Sequence, residues 1–308
     1  MADTPTVALT IAGSDSGGGA GLQADLKTFA ALGVFGTCAV TAVTAQNTTA
    51  VTDVATLDPA FVIAQIRAVV SDLPVAAAKT GMLATPAIVT AVAGLAADGL
   101  LPNLVVDPVL VSSTGHPLMD EGGVAAYREH LIPRASVVTP NLRETAVLTG
   151  RSLADLATVE DMAAAGQQLR ALGAEMVVVK GGHLAVAATE RARRQREGPV
   201  GEPPGGGALA GSPDVVVGPG GTVVLPGQRV ETRNDHGTGC SLAAGITAWL
   251  ARGEDPLEAV RRAKAYVHRA LCGAATWHLG GGHGPIDHFG WSADRTDPAR
   301  GRRPSSRS

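Results

Sequence analysis

Short apolar runs alternate with amphipathic stretches along most of the chain. Runs typical of buried strands begin at Val7, Thr37, Val75, Leu104, Val137 and Met176. Helical spacing covers residues 22–32, 59–70, 86–97 and 162–172. Strands and helices that alternate at this period form a parallel sheet covered on both faces. The pattern therefore predicts an α/β fold.

The last third of the chain predicts a hairpin followed by two helices. Residues 214–217 and 222–225 are apolar and flank a glycine- and proline-rich turn, and helical spacing follows over 240–252 and 256–274. Two stretches have few large apolar residues and predict disorder, an insertion at about 187–212 and a tail at 291–308. We therefore expect a single domain over residues 1–290.

Composition narrows the class of protein. A chain of 308 residues with 45% hydrophobic residues can bury one large core. Its net charge of -3 gives no basic balance for binding nucleic acid. The three cysteines, Cys38, Cys240 and Cys272, are widely spaced, which is typical of a reducing compartment. With no signal peptide and no apolar run long enough to span a bilayer, we expect a cytoplasmic protein without membrane or nucleic-acid partners.

The segment 234–245 predicts a tight loop that opens a helix. Gly237 and Gly239 flank Thr238 and permit unusual backbone angles, and helical spacing begins at Cys240. Free N–H groups at a helix start bind anions, such as a phosphate in transfer. A thiol there is expected to have a lowered pKa and to act as a base or nucleophile. The alternative is a simple helix cap with a small buried cysteine.

Polar residues follow several predicted strands at the sheet edge where open α/β folds bind ligands. Asp107 and Glu144 offer the hard oxygen ligands that a magnesium–nucleotide complex needs. Asn141 shares a helix face with Glu144, although the two also match a capping box. Lys180 either faces a phosphate or reaches solvent. Together with the loop at 237–240, these residues favour phosphoryl transfer.

Two further polar residues have open interpretations. The amide of Gln46 offers a donor beside an acceptor, which complements the ring-nitrogen and amine edge of an aminopyrimidine, or it closes a local turn. His236 couples to Cys240 or is solvated.

The glycine-rich loop at 13–21 matches neither a dinucleotide-binding nor a Walker motif.

Seven segments, in order, resemble the hydroxymethylpyrimidine/phosphomethylpyrimidine kinases of thiamine biosynthesis, which belong to the ribokinase-like superfamily. They are residues 8–28, 45–48, 79–83, 106–109, 139–144, 179–183 and 236–240. The resemblance implies a three-layer α/β/α sandwich with a mostly parallel central sheet, usually a homodimer. It implies an enzyme that uses ATP and Mg²⁺ to phosphorylate 4-amino-5-hydroxymethyl-2-methylpyrimidine and then the monophosphate.

The resemblance also implies roles for the matching residues. The pyrimidine site would include Gly13, Asp25, Gln46 and Met82. The magnesium–phosphate region would include Asp107 and Glu144 as metal ligands, with Asn141 and Lys180 at the nucleotide. The catalytic anion hole would include Gly237, Thr238, Gly239 and Cys240.

Two other functions are compatible with these motifs. A pyridoxal or pyridoxine kinase acts on a hydroxymethyl-bearing ring of similar size, and a non-catalytic sensor would bind the same ligands without turnover. One departure from the family pattern is Ser16-Gly17, where a Pro-Ser pair is usual.

Overall fold

The computed structural model describes residues 4–110, 119–182, 184–197 and 211–294. The strands in chain order are β1 Val7–Asp15, β2 Phe35–Gln46, β3 Val51–Thr56, β4 Val75–Thr80, β5 Val105–Val106, β6 Val137–Val138, β7 Met176–Val179, β8 Asp214–Gly218 and β9 Gly221–Leu225. The α-helices are α1 Gly21–Ala31, α2 Pro59–Val70, α3 Pro86–Ala97, α4 Glu121–Ala126, α5 Leu142–Thr149, α6 Val159–Arg170, α7 Leu184–Glu197, α8 Thr238–Ala251, α9 Pro256–Ala274 and α10 Trp291–Asp294.

Within these described residues the strands form one sheet in the order β3-β2-β1-β4-β5-β6-β7-β8-β9. The pairs from β2 through β7 are parallel. Antiparallel strands lie at both edges, β3 on one side and the β8–β9 hairpin on the other. The predicted α/β class with a mostly parallel sheet is confirmed.

The core lies in two layers, one on each face of the sheet. Consecutive strand residues point to opposite faces, so Val105 packs in one layer and Val106 in the other. The first layer contains α2, α3, α5 and α6, and the second contains α1, α8 and α9. This arrangement is the expected three-layer sandwich.

The insertion expected at about 187–212 is not disordered in its first part. The alanine-rich sequence after Leu184 favours a helix, and α7 extends to Glu197. Ala187 is fully buried against the core, and Arg191 Nη2 lies 2.6 Å from Asp161 Oδ2. Residues 198–210 lie outside the described residues.

The tail expected from residue 291 also begins with structure. Trp291–Asp294 form α10, because the Asp287 carboxylate accepts the backbone N–H groups of Trp291 and Ser292, each at 2.9 Å. The remainder, 295–308, lies outside the described residues. In the described part of the chain, none of the helices combines the length and the apolar character needed to cross a membrane.

Candidate active site

The loop before α8 has the predicted form. Gly237 is the N-cap with a φ of 85°, and a Cβ there would overlap the carbonyl oxygen of Gly19. Glycine is therefore required by both the backbone angle and the close approach. Thr238 N–H donates to Asp235 O over 3.3 Å, and Ser241 N–H donates to Gly237 O at 2.8 Å. The N–H groups of Gly239 and Cys240 lie between them in the first turn of the helix, where N–H groups lack an intrahelical acceptor. The start of α8 thus presents backbone donors at the positive end of the helix dipole.

Three charged residues from different strand ends meet beside this loop. Lys180 Nζ lies 3.0 Å from Asp107 Oδ1, which also accepts a hydrogen bond from Thr139 Oγ1 at 3.2 Å. A Cβ placed on Gly239 would lie 3.3 Å from the same Nζ, so the ammonium group stands between Asp107 and the start of α8. Burial lowers the pKa of Lys180, but Asp107 and Glu144 outweigh it and raise that pKa above its usual value. Lys180 is therefore charged at neutral pH.

Glu144 lies in this cluster and also caps a helix. Asn141 Oδ1 accepts from Glu144 N–H at 2.9 Å, and Glu144 Oε2 accepts from Asn141 N–H at 2.7 Å. This is the reciprocal capping box that the sequence allowed. Burial raises the pKa of Glu144 to about 8; the attraction of Lys180 opposes the rise and the charge of Asp107 adds to it. The capping and electrostatic interpretations therefore both apply.

The expected low pKa of Cys240 is wrong for this structure. Burial raises the pKa of the thiol to about 11. The ammonium of Lys79 and a backbone hydrogen bond from Gly21 lower it, and the carboxylates of Asp25 and Asp107 raise it. Loss of water around the sulfur therefore outweighs the helix dipole. At neutral pH almost all Cys240 side chains are thiols.

Asp25 does not line an open pocket. Its side chain is fully buried, and Lys79 Nζ lies 3.0 Å from both of its carboxylate oxygens. Thr10 Oγ1 donates to Asp25 Oδ2 at 2.6 Å. Asp25 lies on the buried face of α1, where it is paired with Thr10 on β1 and Lys79 on β4. The sequence placed Asp25 among the substrate contacts and assigned no role to Lys79.

Of the other three residues of the expected pyrimidine site, Gly13 and Met82 are in contact, and Gln46 lies at the end of β2. A Cβ on Gly13 would lie 2.5 Å from Met82 Cε, so the missing side chain makes room for the methionine. The Met82 carbonyl accepts from Thr41 Oγ1 on β2 at 2.6 Å. Gln46 ends the same strand, and its backbone is tied to Ser16 by hydrogen bonds of 2.7 and 2.8 Å. The first glycine loop and the end of β2 therefore form one wall.

Sequence analysis missed the role of Asp15 and the partner of His236. His236 Nε2 lies 3.0 Å from Asp15 Oδ2 and 3.2 Å from the Gln46 amide. Asp15 and His236 are separated by 221 positions, so no local pattern indicates the contact. The only available signal is that each residue stands within a glycine-rich loop.

Comparison with known proteins gives the family. A sequence model described as phosphomethylpyrimidine kinase matches residues 15–287. This chain belongs to the phosphomethylpyrimidine kinase family. The hydroxymethylpyrimidine/phosphomethylpyrimidine kinase of Rhizobium meliloti is 46% identical over 286 residues, which cover 92% of this chain and 97% of the relative.

Solved structures agree with the phosphomethylpyrimidine kinase fold. The phosphomethylpyrimidine kinase of Clostridium difficile has a TM-score of 0.69 at 36% identity, covering 86% of this chain and 99% of that one. The pyridoxal kinase of Bacillus subtilis, solved as an ADP complex, has a TM-score of 0.76 at 34% identity, covering 92% and 98%. The chain is thus a ribokinase-like phosphotransferase, and membership of a kinase family implies the use of ATP.

Proposed function

We propose that this phosphomethylpyrimidine kinase transfers a phosphoryl group from ATP to the hydroxymethyl group of 4-amino-5-hydroxymethyl-2-methylpyrimidine, and then to the phosphate of the product. The observation that best supports this is the position of Lys180, which contacts Asp107 and lies beside Gly239 at the start of α8. A cation and backbone donors that converge on one point stabilise the charge of a transferring phosphoryl group.

Each group of residues has a role in this proposal. Gly13, Gln46 and Met82 bind the pyrimidine, while Asp25 supports the wall from beneath through Lys79. Cys240 accepts the proton of the attacking hydroxyl through its thiolate form, which is scarce at neutral pH because the thiol pKa is about 11. The backbone donors of Gly237, Thr238 and Gly239, with Cys240, form the anion hole.

Magnesium fits the carboxylates beside Lys180. Glu144 and Asp107 are both buried, and burial together with the charge of Asp107 raises the pKa of Glu144. A divalent cation at this position would favour the ionised carboxylate. Mg²⁺ is usually bound by one or two carboxylates together with waters and substrate phosphates, which is the donor set that Asp107 and Glu144 offer. Bound Mg²⁺ would neutralise phosphate charge. Asp107 and Glu144 would hold it, with Asn141 fixing the Glu144 carboxylate.

An open cleft next to this cluster suits the nucleoside part of ATP. Its volume is about 670 Å³, within the range of small-molecule sites. It lies between the start of α5, α7 and the segment after β9, and its lining includes Arg143, Val186, Thr189, Glu190 and Arg229. The phosphates would then extend from this cleft toward Lys180. Arg143, which lines the cleft, is adjacent in sequence to Glu144 of the charged cluster.

A coupled assay that follows ADP formation tests the function. Hydroxymethylpyrimidine, its monophosphate and pyridoxal are offered separately with Mg·ATP. We expect turnover of the first two with a much higher kcat/KM than for pyridoxal. Turnover of pyridoxal alone would favour the second candidate, a pyridoxal kinase, which the structural similarity to the Bacillus subtilis enzyme supports. Binding without ADP formation would indicate a sensor.

The proposal includes a homodimer in the cytoplasm. All six residues of the edge strand β3 are exposed, among them Val51 and Val54, and Val43 on β2 and Phe61 on α2 are exposed nearby. An unpaired strand edge with apolar side chains is a pairing surface that monomers usually protect. A second copy that packs on this edge would cover it.

A further inference from the structure

Asp15 ends β1 as an ionised acceptor. Its carboxylate accepts backbone N–H groups from Gly17 at 2.8 Å, Gly19 at 3.1 Å and Ala20 at 2.8 Å. Burial raises the pKa of Asp15, but its hydrogen bonds with His236 and these N–H groups outweigh burial and lower that pKa below its usual value. An ionised carboxylate has no proton to donate. Any hydrogen bond that reaches it must therefore come from its partner.

This fixes the proton of His236. The ring atom Nε2 lies 3.0 Å from Asp15 Oδ2, so it carries the hydrogen in that bond. The same Nε2 lies 3.2 Å from the Gln46 side-chain atom that is assigned as the amide nitrogen. Two N–H donors do not bond each other. The amide oxygen and nitrogen of glutamine are interchangeable by a half rotation, and the hydrogen-bond network decides between them.

The network around Gln46 favours the rotated amide. In the rotated amide the Gln46 oxygen points toward His236. The Gln46 nitrogen then occupies the position 3.2 Å from Thr44 Oγ1. The Thr44 hydroxyl donates its own proton to the Ser14 carbonyl at 2.9 Å, so it is free to accept. The single hydrogen on His236 Nε2 is then shared between Asp15 Oδ2 and the Gln46 oxygen as a three-centre bond, and Thr44 Oγ1 accepts from the Gln46 nitrogen. One N–H and one oxygen lone pair remain for a ligand.

We infer that His236, oriented by Asp15, is a specificity-determining positioning residue that fixes which end of the Gln46 amide donates to the pyrimidine. The inference rests on the proposed function and adds a cause for its ring selectivity. The aminopyrimidine presents a ring-nitrogen acceptor beside an amine donor, whereas its 4-oxo analogue presents a ring N–H donor beside a carbonyl acceptor. A fixed amide matches the first order and leaves buried polar groups unpaired with the second.

The test compares the two rings on one variant. We expect the wild type to prefer the amino substrate over 4-oxo-5-hydroxymethyl-2-methylpyrimidine, measured as a ratio of kcat/KM values. In His236→Phe the Gln46 amide loses one of its two partners and keeps only Thr44, so its orientation is less fixed and the ratio should fall by about 10-fold or more, chiefly through KM. An inactive fraction of the sample lowers both rates equally and leaves the ratio unchanged. A ratio equal to that of the wild type would overturn the inference.

His283→Phe is the matched control. His283 also pairs with an aspartate, with Nδ1 at 2.7 Å from Asp235 Oδ1, but it is 71% exposed and its partner is not Asp15. Its substitution should leave the ratio unchanged. Wild-type protein that turns over neither pyrimidine would count against the proposed function.

A measurement without substrate tests the same point. Long-range ¹H–¹⁵N correlation spectra of the wild-type protein, assigned with His236→Phe, report which ring nitrogen carries the proton. We expect His236 Nε2 to be protonated at pH 7.5. An unprotonated Nε2 would overturn the inference even if the enzyme is an active pyrimidine kinase.

Discussion

At the scale of single residues, burial has more influence on ionisation in this site than position along a helix. Cys240 stands at the start of α8, where a low pKa is expected, yet loss of water raises its pKa to about 11. Glu144 likewise has a pKa raised to about 8, although Lys180 lies nearby. Loss of water therefore influences the ionisation of these two groups more than the helix dipole or the neighbouring lysine does.

Cys240→Ala should affect the two phosphorylations unequally. The first acceptor is an alcohol that must lose a proton, whereas the second is a phosphate monoester that is already mostly ionised at pH 7. We expect the first step to slow by about 100-fold and the second much less. In the wild type the first step should accelerate from pH 7 to 9, because the thiolate fraction grows below its pKa of about 11. Single-turnover rates on each substrate check this, and equal losses would assign Cys240 to the anion hole alone.

Gln46→Leu should weaken pyrimidine binding and leave ATP binding nearly intact. The change removes the donor and acceptor that face the ring and leaves ligand polar groups unpaired, at a cost of about 1 to 3 kcal/mol. Calorimetric titration with each ligand separately measures both affinities. Unchanged pyrimidine affinity would show that Gln46 only closes its local turn.

His288 should make the fold sensitive to acid. It is 5% exposed, Ser241 Oγ lies 3.0 Å from its Nε2, and burial lowers its pKa to about 4. The unfolded chain binds a proton below about pH 6.5, and the folded protein does so only below about 4. The free energy of unfolding is therefore unaffected by the titration of His288 above pH 6.5. It falls by up to about 3 kcal/mol as the pH falls toward 4. Urea unfolding at pH 7.5 and 5 measures it. His288→Asn should remove this part of the loss, whereas the exposed His283→Asn should not.

At the scale of elements, α7 shows how a polar, arginine-rich stretch acquires structure. Its residues 185–189 have few large side chains, but Ala187 is fully buried and Arg191 binds the Ala154 carbonyl at 2.9 Å as well as Asp161. These contacts join α7 to the turn Leu153–Leu156 and to α6. The helix also forms one wall of the proposed nucleotide cleft.

Ala187→Asp should therefore destabilise the protein, and Ala188→Asp should not. The first places a carboxylate in the core, which costs about 3 kcal/mol or more, while the second lies on the exposed side of the same helix. Chemical denaturation of the two variants measures the difference. If both remain as stable as the wild type, residue 187 lies in a disordered segment as the composition suggested.

At the scale of the whole molecule, the sheet ends in a mostly exposed strand on each side. The β8–β9 hairpin extends the sheet on one side, with β9 as its last strand, and the exposed strand β3 closes the other. The proposed pyrimidine wall includes the end of β2, the direct neighbour of β3. Coverage of β3 by a second subunit would therefore support the wall that contains Gln46.

Val54→Lys should shift the proposed dimer toward monomer. It replaces a 48% exposed apolar side chain on the edge strand with a charge. Sedimentation velocity across a range of protein concentrations gives the oligomeric state. Thr222→Lys, on an exposed position of the opposite edge strand β9, is the control and should not change it. A wild-type protein that is monomeric at all concentrations would contradict the proposal.

Residues adjacent in the sequence were sufficient to predict the helices and strands and the class of reaction. Helix α3 begins at Pro86 after the Thr85 cap, and α9 begins at Pro256 after the Asp255 cap, so both bounds follow from residues adjacent in sequence. The polar residues at the ends of β5, β6 and β7 indicated phosphoryl transfer, because each of them follows its strand closely in the sequence. Their order along the chain also indicated the family before any contact was known.

Long-range contacts decided what local signals left open. The Lys79–Asp25 pair joins residues 54 positions apart, and the His236–Asp15 pair joins residues 221 positions apart. The ionisation of Cys240, the burial of Asp25 and the docking of α7 all depend on such partners. The energy of a charge or a side chain is set by the water and the neighbours around it, and folding alone determines both.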